Sequence, residues 1–165
     1  ELGRHQPCLV QAKLRQDRLR PVLVVVREQE LAVEGARRKT SVAIDRGAYA
    51  YNPMVQHQVA EMYLELDAAT ATLDRYVEDW AAGRLGAEDL VPRTYATKWR
   101  AVEAAKRVVD IALDVVGGFS MFKASELERL YRDVRCGGFH PGNDALTHEM
   151  VGKATLGVLG EQPRW

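Results

Sequence analysis

The sequence predicts an all-α protein, an up-and-down four-helix bundle, and two stripes of apolar side chains carry that prediction. From Asn52 to Ala82, the residues Val55, Val59, Met62, Leu66, Ala69, Leu73, Tyr76 and Trp80 recur at alternating steps of four and three. This is the period of a helix that packs along a neighbour at a shallow crossing angle. Tyr95, Trp99, Val102, Ala105, Val109, Ala112 and Val116 repeat the pattern. The connection between the stripes is short, so the two helices are expected to run antiparallel.

The elements follow in order. Glu1 to Arg18 carries no clear period, and residues 1–19 stay unassigned. Pro21 at a helix start, with Glu28, Glu30 and Leu31 beyond it, predicts a helix from Arg20 to Ala36 in spite of the β-branched run Val24-Val25-Val26. Thr40 to Tyr51 is read as a loop. Asn52 is a good N-cap, Pro53 suits the first helical position and Gly83 can close the far end of the first long helix. A linker containing Gly86 and Pro92 leads to the second long helix, which stops at Gly117-Gly118. Ala124 to Val134 reads as a shorter helix. Asp144 to Val158 reads as the last one, capped by Asn143, with Leu146, Met150 and Ala154 as its inner face. The bundle domain therefore spans 20–160, and 161–165 is a tail.

Composition narrows the function. With 23 basic and 23 acidic side chains the net charge is zero, so the chain lacks the electrostatic footprint of a nucleic-acid or anionic-membrane binder. The longest apolar run, Pro21 to Val26, is too short to cross a bilayer. Cys8 and Cys136 have no paired spacing, and His148-Glu149 has no metal spacing. A soluble protein in a reducing, cytoplasmic setting, without a metal, is expected. The first residue is Glu1 rather than methionine, and the chain is expected to continue upstream.

One region is more specific: Leu127-Glu128-Arg129-Leu130-Tyr131-Arg132-Asp133-Val134-Arg135, then Phe139-His140-Pro141-Gly142-Asn143-Asp144, then Val151-Gly152-Lys153-Ala154-Thr155-Leu156-Gly157. Together with Arg38-Lys39-Thr40, Asn52 to Met62 and Val115-Val116-Gly117-Gly118, in that order along the chain, it resembles the C-terminal four-helix-bundle domain of the acyl-CoA dehydrogenase superfamily. The resemblance implies a fragment of a longer FAD oxidoreductase of fatty acid metabolism, which removes hydrogen across the α,β-bond of an acyl-CoA thioester. It also implies a homo-oligomer, a dimer or tetramer formed through the bundle, with a paralogous subunit as a further candidate partner.

The same resemblance suggests site residues. Arg38, with Thr40 in the same segment, stands where the family's arginine meets the FAD diphosphate of a neighbouring subunit, a role for which Arg37 and Arg46 compete because Ser41-Val42 replaces the family's Phe-Gly pair; a guanidinium suits phosphate as a charged, bidentate fork. Gly117 and Gly118 match a Gly-Gly turn that approaches the dinucleotide, where no Cβ hinders the backbone. Asp114 replaces a glutamine that often faces the dinucleotide, and would either bind a ribose hydroxyl or repel the diphosphate. The family's catalytic glutamate falls on or beside Pro141, so the loop lacks it. His140 is then the loop's one titratable side chain and the candidate base; flavin monooxygenases of this fold resemble the chain in carrying a histidine there. Some relatives place the glutamate on the first helix, where Asp17, Glu28, Glu30 and Glu34 lie, but these charges are read as a solvated face.

Arg132 and Asp133 are expected to tie helix ends to neighbours, and Trp80 and Trp99 to pack in the core. The isolated chain is expected neither to hold flavin tightly nor to turn over substrate. The alternative reading is a catalytically silent helical subunit, an oligomerisation module, or a flavin-dependent monooxygenase of the same fold.

Overall fold

The computed structural model describes residues 26–39 and 47–160. Helix α1 covers 26–38, α2 runs Pro53–Ala81, α3 Ala87–Val116, α4 Glu126–Cys136 and α5 Asp144–Thr155. No strand occurs among the described residues, and no helix among them is long and apolar enough to cross a membrane. The start of the first predicted helix, most of the loop predicted at Thr40, and Cys8, Asp17 and Thr40 themselves lie outside the described residues.

The predicted punctuation sets the long helices. The Asn52 side chain accepts from the Met54 backbone N–H at 2.9 Å, with Pro53 at the first position, and Gly83 takes φ +65° beyond the other end. The Asn143 side chain accepts from the Leu146 N–H at 3.0 Å and opens α5. Pro92 lies inside α3 rather than in a linker. Its fixed φ is helical and it sits near the start, so it costs one backbone bond to Glu88 and does not break the helix.

Helix α3 is the central post. It packs against α2, α4 and α5, and its buried face (Ala104, Ala105, Val108, Val109, Ala112 and Val115) is wider than one stripe because neighbours stand on several sides. One cluster joins it to Ala32 and Ala36 of α1, Val55 and Met62 of α2, and Leu127 and Val134 of α4. Small side chains bring α1 close: a Cβ on Gly35 would sit 3.2 Å from Val116.

Three packing expectations are corrected. Trp80 is 40% exposed, while its neighbour Asp79 is buried and paired with Arg75, Arg84 and Arg93. In α5 the buried residue is Thr147, and Leu146 is 37% exposed. The Thr147 hydroxyl donates to the Gly142 carbonyl, which turns that face inward. Arg132 and Asp133 do not reach neighbouring helices: they pair with Glu128 and Arg129, one turn back on α4. Arg135 makes the tie to α3 instead, donating to Asp110 at 2.6 Å. Trp99 is half-buried, and its indole N–H donates to Asp144 at 2.6 Å, pinning α5 to α3.

Candidate functional site

The end of α1 and the end of α3 meet. The Lys39 ammonium donates to the Val116 carbonyl and lies over the rings of Tyr49 and Phe119, 5.6 and 5.2 Å from their centroids. The Lys39 carbonyl also accepts from the Tyr49 N–H at 2.8 Å. Opposite stands Gly117, with φ +71° and ψ −163°, a backbone region almost closed to other residues. A Cβ there would lie 3.4 Å from the Lys39 amine, whereas a Cβ on Gly118 would meet nothing within 4 Å.

The fold therefore places the Arg38-Lys39 segment and the Gly117-Gly118 turn side by side. Arg38 is exposed and pairs with Glu34, one turn back. Phe119, Met121 and Phe122 extend the patch with exposed apolar surface. Two cations, an unhindered backbone and aromatic faces suit an anion that carries flat rings. Asp114 is exposed and lines a different surface, a cleft of about 640 Å³ shared with Asp110, Arg107 and Arg135.

The α4–α5 loop is held elsewhere on α3. Lys98 donates to the carbonyls of Gly137 and Gly142 at 2.8 and 3.0 Å, clamping the loop at both ends. Burial, helped by nearby Lys106, lowers the Lys98 pKa. Gly142 has φ +81°, and a Cβ on it would press the Tyr95 ring at 3.0 Å, so this turn needs glycine. Between the clamps, His140 is exposed and makes no hydrogen bond with the described residues. Lys98 precedes Gly117 by nineteen residues, about 28 Å of helix rise. The structure thus does not bring His140 to the glycine turn.

The acids of α1 separate into two kinds. Glu30 pairs with Arg27 and Glu34 with Arg38, both at the surface. Glu28 overturns its reading as a solvated charge: it is fully buried, and neither carboxylate oxygen has a hydrogen-bond partner. Burial, with the charge of Asp110 as a lesser cause, pushes its pKa up to about 8. That value would serve a base, but no substrate can reach a sealed carboxyl. The spacing Glu28, Ala32, Ala36 already put it on the buried face, and this is the signal that sequence reasoning missed. Lys39 and Lys98 were also missed; nothing in their local sequence shows that their amines serve distant carbonyls.

The family described as "Acyl-CoA dehydrogenase, C-terminal domain" matches residues 28–145. The Bacillus subtilis (strain 168) protein YdbM, provisionally named an acyl-CoA dehydrogenase, is 34% identical over 109 residues, which cover 62% of this chain and 27% of YdbM. A structure from Mycobacterium smegmatis, provisionally titled an acyl-CoA dehydrogenase, is 30% identical with TM-score 0.72, covering 81% of this chain and 33% of that one. The acyl-CoA dehydrogenase of Geobacillus kaustophilus superposes with TM-score 0.74 at 23% identity, covering 88% of this chain and 38% of its own, and shows the shared fold. The chain thus spans about a third or less of the length of the first two relatives.

Proposed function

Because the chain belongs to the acyl-CoA dehydrogenase family, as its C-terminal domain, we propose that it serves an FAD oxidoreductase acting on an acyl-CoA thioester, contributing cofactor and subunit contacts. The observation that carries this reading is the seating of Lys39 on Val116, which holds the end of α1 against the Gly117-Gly118 turn. Those residues fit a dinucleotide: Arg38 and Lys39 supply positive charge, Gly118 leaves room for a phosphate to approach the backbone, and Phe119 offers a ring face. FAD, when bound, would accept the hydride leaving the β-carbon. The chain's own part there is to bind, orient and neutralise.

Proton transfer is a separate matter, assigned to a separate place. The loop from Gly137 to Asn143 contains no carboxylate, and His140 is its one side chain of a kind that serves as a general base. The loop and the glycine turn lie against different stretches of α3, in keeping with the family arrangement in which the arginine serves a neighbouring subunit's FAD. A homo-oligomer, dimer or tetramer, follows from that arrangement.

The test is to express the chain with its upstream polypeptide, record the flavin absorbance band, and add an acyl-CoA. A bleached band supports the dehydrogenase reading. A band present but unbleached favours the second reading, a silent subunit or a flavin-dependent monooxygenase, which the missing loop carboxylate supports. A chain that stays colourless with its upstream part attached overturns both. The 165-residue chain alone is expected to purify without stoichiometric flavin.

A further inference from the structure

A groove of about 530 Å³ runs between α2 and α3, lined by Arg75, Arg93 and Arg100 over a floor of small residues that includes Thr72, Ala96 and Thr97. No acid lines it. Two of the arginines are anchored from beneath: Arg75 Nε and Arg93 Nη2 lie 2.9 and 3.1 Å from the same oxygen, Oδ2 of Asp79, and Arg84 takes Oδ1 at 2.8 Å. The three arginines hold the Asp79 carboxyl far below the usual carboxylate range, so it stays charged. One carboxylate cannot neutralise three guanidiniums, and Glu78 adds only a weak electrostatic hold on Arg75.

Arg100 adds to the excess. It is exposed, forms no ion pair with the described residues, and lies seven residues after Arg93, on the same face of α3. The acids around it are engaged: Glu103 holds Lys106 and Glu65 holds Arg107. Each groove arginine keeps N–H groups unused by these bonds. Guanidiniums held close together and short of anions match a ligand with at least two negative charges on adjacent tetrahedral centres.

We propose that this groove is a binding site for a diphosphate or phosphate-ester group. It is not the Gly117 turn: Arg100 and Arg93 lie about 25 and 36 Å before it along α3. The proposal therefore stands independently of the cofactor reading.

The test is calorimetric titration of the full chain with inorganic pyrophosphate, at an ionic strength fixed with sodium chloride. The wild-type chain is expected to show saturable binding that depends on Arg100. Arg100→Gln is expected to weaken it about tenfold, the loss of one charged hydrogen bond, with an unchanged unfolding midpoint. Arg100→Lys is expected to fall between them. Arg75 and Arg93 also brace Asp79, so Arg100 carries the test. No saturable binding, or equal affinity in Arg100→Gln, would overturn the site. A parallel arm with coenzyme A assigns the source. Competition with pyrophosphate that depends on Arg100 identifies the coenzyme's phosphates; its absence leaves a site for smaller phosphates.

Discussion

Among the described residues two carboxylates are buried, and they sit in opposite electrostatic settings. Asp79, at the turn between α2 and α3, is met by Arg75, Arg84 and Arg93, whose own side chains are 41 to 70% exposed. Glu28, on α1, has no hydrogen-bond partner among the described residues. The first carboxyl is pulled below its ordinary pKa by its arginines, and the second is pushed up to about 8 by burial. Both perturbations have structural causes, and neither marks a catalytic group. What separates a titrating residue from a base is access to substrate.

The contrast breaks most sharply at Glu28. At pH 7 its carboxyl is mostly protonated in the fold and ionised in the unfolded chain, so keeping it inside costs about 3 kcal/mol. Glu28→Leu is expected to raise unfolding stability in urea by about that amount. Because the folded pKa is raised, the unfolded state binds fewer protons between pH 4.5 and about 8. Wild-type stability should therefore fall as pH rises through that window and level off beyond it. Glu28→Gln removes the slope but keeps a buried amide without partners, so its gain should be smaller. Urea midpoints that vary with pH equally in wild type and Glu28→Gln would show that the carboxyl is not buried as described.

Asp79 predicts the reverse slope. Its pKa is lowered, so its contribution is present above the ordinary value of 3.8 and is lost as pH falls below that toward the folded value. Asp79→Asn should destabilise the protein at neutral pH and flatten the acid limb of the stability profile. The loss should be smaller than the Glu28→Leu gain, because all three arginines face water. Together the two carboxyls place maximum stability near the lower edge of the Glu28 window. A profile in Asp79→Asn that still falls below pH 4 as steeply as wild type would contradict the arginine clamp.

The sequence disclosed these regions unequally, and the reason is physical. The long helices, their caps at Asn52 and Asn143 and the stop at Gly117 are local events, readable from a few neighbouring residues. Glu28 is legible in principle, since it stands four and eight residues before Ala32 and Ala36, but a charged side chain on an amphipathic helix ordinarily marks its solvated face. Asp79 was less so: Arg75 is one turn away, whereas Arg84 and Arg93 reach it only because the chain reverses. The candidate site divides in the same way. Gly117-Gly118 and His140 were named from sequence, yet their separation along α3 and the Lys39 link to Val116 depend on tertiary packing.

The two glycines of the turn sharpen the comparison between structural and functional need. Gly117→Ala should cost about 1–3 kcal/mol, because its φ and ψ are nearly exclusive to glycine. Gly118→Ala should leave thermal unfolding unchanged, as its Cβ would stand in open space. If a dinucleotide approaches that backbone, the second variant should still lose flavin affinity in the complete polypeptide, measured by flavin retained on gel filtration. Full retention in Gly118→Ala would remove the glycine turn from the cofactor site.

The smallest expected change in stability belongs to His140, which has access where both buried carboxyls lack it. It is exposed, unbonded among the described residues, and carried on a loop that Lys98 holds at both ends. Nothing in the fold depends on its ring, so His140→Ala should stay within about 0.5 kcal/mol of wild type. If the loop supplies the base, turnover by the complete protein should nonetheless collapse. Unchanged turnover would remove the loop from proton transfer.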